Sequence, residues 1–111
     1  MNLTEMYRGD TRILRLDADS NIAGGTLHMI IKTDPTDPDS QAIVNRPWDM
    51  GVAEPDGSVL YATFEIMPIE SSQFPVGQVY VGIEYTTSAG RNYTIHAGPM
   101  NVLRDYRLAV G

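Results

Sequence analysis

The chain contains no cysteine. Disulfides, thiolate metal centres and cysteine nucleophiles are therefore excluded, and redox arguments leave the compartment open. Lysine is almost missing: seven of the eight basic residues are Arg, and Lys32 is the eighth. They are scattered and form no stripe, and the net charge is −6. No nucleic-acid partner is expected, because phosphate binding needs clustered Lys and Arg. Long apolar runs are lacking too, and none nears the roughly 18–20 residues that span a bilayer, so no membrane partner is expected. The opening "MNLTEMYRGD" has neither the basic start nor the apolar run of a signal peptide. Helical periodicity is confined to one turn after Pro68 in "PIESSQF", stopped by Pro75, which restricts Phe74.

What is present is alternation. The 111 residues suffice for one compact domain, 1–111, and the 42% hydrophobic content is that of a folded protein. Leu27, Met29 and Ile31 alternate with His28, Ile30 and Lys32. Leu60, Ala62, Phe64 and Ile66 alternate with Val59, Tyr61, Thr63 and Glu65. Val79, Val81, Ile83 and Tyr85 alternate with Tyr80, Gly82, Glu84 and Thr86, and Tyr93, Ile95 and Ala97 with Thr94 and His96. A period of two marks strands with one face on a core. Turn residues punctuate the chain at 8–10, 17–25, 34–40, 54–58, 74–77 and 87–91. The expectation is an all-β, immunoglobulin-like two-sheet β-sandwich with strands near 2–7, 11–17, 26–33, 42–48, 58–66, 78–87 and 92–97. The tail "PMNVLRDYRL" either continues the last strand past Gly98–Pro99 or forms an eighth.

Candidate chemistry is sparse. In "DADSNIAGG", Asp17, Asp19 and Asn21 match the first ligands of a calcium loop, but Ile22 and His28 stand where that template needs Gly and a bidentate Glu. A strand-connecting turn fits better, and a looser edge site at 17–21 stays open. Asp34, Asp37 and Asp39 in "DPTDPDS" form either a cation site at 34–39 or a solvated loop. His28 and His96 fall opposite the apolar rows, and two His without a paired carboxylate make a poor zinc site. Glu65 and Glu84 could face each other across a sheet, but glycosidase chemistry also needs a cleft, for which a 111-residue sandwich has little room. No nucleophile elbow or phosphate loop occurs, so no enzyme and no cofactor is expected. "RGD" at 8–10 matches an integrin tripeptide and equally a turn. Trp48 plugs the core, caps a sheet edge or offers a surface for sugar or protein contact. Arg104, Tyr106 and Arg107 are of the types that anchor interfaces. Val59, Tyr61 and Tyr80, read as outward-facing, are further partner-contact candidates.

The order of landmarks adds a resemblance. "YRGDT", "LDADSN", "AGGTLHMIIKT", "DGSVLYATF", "MPIESSQFPVGQVYVGIEYTTSAGRNYTIHAG" and "NVLRDYRL" follow one another. This resembles the immunoglobulin-like domains of tailed-phage structural proteins, such as the N-terminal domain of baseplate upper proteins. The shared features are turn-and-strand patterns over nearly the whole chain: Gly9–Asp10, Gly24–Gly25, Pro68–Ser72, Phe74–Gly77, Ala89–Gly90, Gly98 and Asp105. One departure is that Val79 stands two residues after Gly77, where the family carries Tyr. Tyr80 then falls on the other face, so no tyrosine corner is carried over. The resemblance implies a structural or assembly protein of a phage or prophage particle, tail or baseplate, working by protein–protein contact. It would be found in the virion and assembled in the bacterial cytoplasm, with other virion proteins or further copies of itself as partners. The alternative is a carbohydrate- or calcium-binding module on the same sandwich.

Overall fold

A computed structural model describes residues 5–104. Eight strands form two sheets around one core: β1 (Glu5–Tyr7), β2 (Arg12–Asp17), β3 (Thr26–Lys32), β4 (Val44–Pro47), β5 (Asp49–Met50), β6 (Tyr61–Ile66), β7 (Gly77–Thr86) and β8 (Asn92–Leu103). The larger sheet has the order β1-β8-β7-β3-β4 and the smaller β2-β6-β5. The protein is thus an all-β two-sheet sandwich. Among the described residues the helical turns are a 3-10 turn, Asp39–Gln41, between β3 and β4, and α1 (Pro68–Ser71) after β6.

Alternation decides which faces meet. Leu27, Met29 and Ile31 of β3 and Val79, Val81 and Ile83 of β7 are buried and face Leu14 of β2 and Ala62, Phe64 and Ile66 of β6 in one cluster. Tyr80, on the opposite face of β7 from Val79, is only half-buried. The tail resolves as a continuation: β8 runs through Gly98–Pro99 to Leu103 and also pairs in parallel with β1.

Three local departures from a plain period of two matter. First, the segment expected as one strand at 42–48 changes sheets: β4 pairs with β3, whereas β5 pairs with β6. Trp48 sits at the crossing, 4% exposed, with its ring 5.5 Å from that of Phe64. A strand that switches sheets closes a sandwich corner, and a large ring fills it. Second, β6 begins at Tyr61, and the two residues before it reverse their facing. The Val59 N–H donates to Asn21 Oδ1 (2.9 Å), and Leu60 O accepts from the Ala18 N–H (2.8 Å). Val59 is consequently 8% exposed and Leu60 38%. Third, Ile83 pairs with His96 but Glu84 with Thr94, so Ile95 is an extra residue on β8. Such a bulge flips every side chain beyond it.

Candidate interaction surface

The turns that looked chemical are mostly engaged in holding the fold. Asn21 Oδ1 accepts from the Ala23 and Val59 N–H groups, so the "DADSN" stretch fastens β2 to the approach of β6. Asp17 is paired with Arg15 (2.9 Å). In the 34–39 loop, Asp34 accepts from the Thr36 N–H and hydroxyl, which hold its carboxyl below the usual carboxylate range. Lys32 donates to Asp37 O (2.7 Å) and pairs with Asp39 (2.8 Å), drawing the loop onto the sheet. Asp56 is likewise lowered by donation from the Ser58 hydroxyl and N–H. Among the described residues, no three His, Asp or Glu side chains come together as a metal site.

The RGD tripeptide is a turn with Gly9 at φ 84°. Arg8 donates from Nε to Phe74 O (2.9 Å) and from Nη2 to Ser72 O (2.6 Å). Ser71, fully buried, donates its hydroxyl to Asp10 O (2.7 Å). The arginine of the tripeptide therefore clamps the α1 loop to the β1–β2 turn.

The candidate contact residues separate. Val59 is buried and leaves the outward group, for the reason given above. Trp48 takes the core-plug role and offers no open ring surface. Tyr61 is half-buried beneath Arg15, whose guanidinium lies 4.0 Å from the ring centroid. Tyr80 stands on the outer face of the larger sheet. Arg104 is exposed just beyond β8. Tyr106 and Arg107 lie outside the described residues. His28 keeps its expected outer face and bonds Asn45. His96 does not: the bulge turns it to the face of Ile83, with Nε2 buried and, among the described residues, without a hydrogen-bond partner. The two histidines lie on strands separated by β7. Glu65 and Glu84 lie in different sheets and cannot form a pair across one.

Sequence patterning missed a trough on that same outer face. Ile30, Gly82 and Ala97 sit side by side across β3, β7 and β8 in register. With no side chain at Gly82 and only a methyl at Ala97, the sheet surface sinks there. The cavity is about 380 Å³, walled by Tyr80, Glu84, Thr94 and the Lys32–Asp39 pair. That volume is within the usual range for ligand and side-chain pockets. A glycine inside a β-run was the available signal, since Gly weakens a strand and often marks close approach of another group. A second hollow of about 320 Å³ opens between the sheets at the other turn, lined by Leu16, Asp19, Ile22, Tyr85 and Ile95.

Among the described residues these features define the class: an eight-stranded β-sandwich with an indented outer sheet face. No family model matches the chain, and no curated protein matches it.

Proposed function

We propose that this sandwich is a non-enzymatic structural or assembly component of a bacteriophage or prophage particle, in the tail or baseplate, and that it works by contact with other virion proteins. The observation that carries the contact reading is the outer face of the larger sheet, where Tyr80 borders the trough over Gly82. Half-buried Tyr beside a concave apolar floor is the make-up of an interface anchor site. The particle assignment is supported by the order of landmarks over nearly the whole chain, from Gly9–Asp10 to Asp105.

Co-expression with tail and baseplate proteins, followed by affinity purification and light scattering, tests the proposal. A defined complex with a tail or baseplate protein is expected. A protein that stays strictly monomeric and joins none of them overturns it.

A further inference from the structure

The vacancy at Gly82 has no internal cause. Its φ is not positive, and a Cβ built there would meet only Ile30 O, at 3.9 Å, an ordinary contact. A side chain would fit, and a β-branched one would suit a central strand better than glycine. No described residue fills the hollow, which is open to another group.

The charges of the walls define its chemistry. Three charged side chains line the trough: the carboxylates of Asp39 and Glu84 and the ammonium of Lys32, an excess of one negative charge. Lys32 is already committed to Asp39 and to Asp37 O. Glu84 is exposed, and among the described residues no ion pair or hydrogen bond engages its carboxylate. The floor of Ile30 and Ala97 is apolar, and the Tyr80 ring stands along one wall. An apolar floor, an aromatic wall and a free carboxylate at the mouth match a long side chain with a methylene stem and a cationic head.

We infer that the trough is the seat of an arginine or lysine side chain carried by a partner protein. The inference rests on the protein-contact reading above and names the partner's chemistry. The stem runs along the Tyr80 ring and over Gly82, and the cationic head pairs with Glu84. Within this chain, Arg8, Arg15, Lys32 and Arg46 are held by their own carbonyl or carboxylate partners. With a net charge of −6, complementarity favours a basic partner surface over a second copy.

The test is titration of the isotopically labelled full chain with N-acetyl-arginine methylamide, followed by amide chemical shifts. The leucine and glutamate analogues serve as controls. Saturable shifts at Gly82, Glu84 and Ala97 are expected with the arginine probe, weaker ones with leucine and none with glutamate. Glu84→Gln weakens binding about three- to fivefold, the scale of an exposed ion pair. Gly82→Val abolishes it, while amides far from β7 keep their shifts and so report an intact fold. Shifts elsewhere, equal shifts with glutamate, or full binding by Gly82→Val overturn the inference. Dimerisation through this face that Gly82→Val abolishes also overturns it, because the occupant is then a second copy. Particle-protein binding that both variants leave unchanged refutes the trough and spares the particle assignment. Arginine binding without any particle partner does the reverse.

Discussion

Arg46 and Glu70 join the two sheets. Arg46 projects from β4 of the larger sheet and donates from Nε to Glu70 Oε2 (2.9 Å) and from Nη2 to Oε1 (2.6 Å). Glu70 lies on α1, directly after β6 of the smaller sheet, and its Oε1 also accepts from the Met67 N–H (2.9 Å). The guanidinium covers the Phe64 ring at 4.1 Å. One bidentate pair thus caps the core, fixes the start of the helical turn and bridges the layers.

Removing either partner strands the other. Glu70→Gln is expected to cost about 1–2 kcal/mol, the range for losing a charge-assisted hydrogen bond at a partly exposed site. Arg46→Ala costs more, because the cover over Phe64 goes too. Urea unfolding measures both, and a double variant losing no more than the worse single one marks the two as a coupled unit.

The same pair sets an acid limit. Donation from Arg46 holds the Glu70 carboxyl below the usual carboxylate range, against an opposing effect of burial. A depressed folded value means that the unfolded chain binds the proton more readily. The contribution is fully present above the unfolded value and is lost as pH falls through the lower folded one. Urea midpoints between pH 6 and 3 are expected to drop less for Glu70→Gln than for the parent over that window. An identical pH dependence in both proteins excludes Glu70 as a source.

Much of the architecture was legible because burial follows the period of two. The rows Leu27–Met29–Ile31 and Val79–Val81–Ile83 fall on the core face as their spacing requires. Legibility failed where one residue broke the ladder. Ile95 is an ordinary strand residue by type, yet as the bulged residue it reverses His96. Val59 was misplaced because Asn21, 38 positions away, holds its backbone, and no local pattern encodes that bond. The trough is likewise a product of pairing: Gly82 and Ala97 become neighbours only through the β7–β8 register.

Arg8 and Ser71 form a second fastening, and it gives the RGD turn its role. Arg8→Ala leaves the carbonyls of Ser72 and Phe74 without their donor, and Ser71→Ala leaves that of Asp10. Each change is expected to lower stability by about 1–2 kcal/mol. If Arg8→Ala leaves the urea midpoint unchanged, the clamp contributes nothing to stability.

Gly51 is needed for a close approach. A Cβ there would lie 2.6 Å from Tyr61 O and equally close to the Tyr61 ring. The carbonyl cannot swing aside, because it accepts the Gly51 N–H at 2.8 Å. Gly51→Ala is expected to destabilise by about 1–3 kcal/mol through overpacking where β5 meets β6. A thermal melt shows it, and an unchanged melting temperature would mean that β5 slides freely along β6.

Gly82 is the opposite case, and the contrast separates a glycine kept for packing from one kept for contact. A Cβ at Gly82 meets nothing closer than 3.9 Å. Valine has the better strand propensity and restricts the unfolded chain more, so Gly82→Val is expected to stabilise the fold by about 0.5–1 kcal/mol. The same side chain fills the trough. A gain in melting temperature together with loss of binding at this face is the signature of a surface in which contact outweighs stability. A variant that is less stable than the parent would show instead that glycine serves the neighbouring bulge, and the hollow would then be a by-product of the ladder.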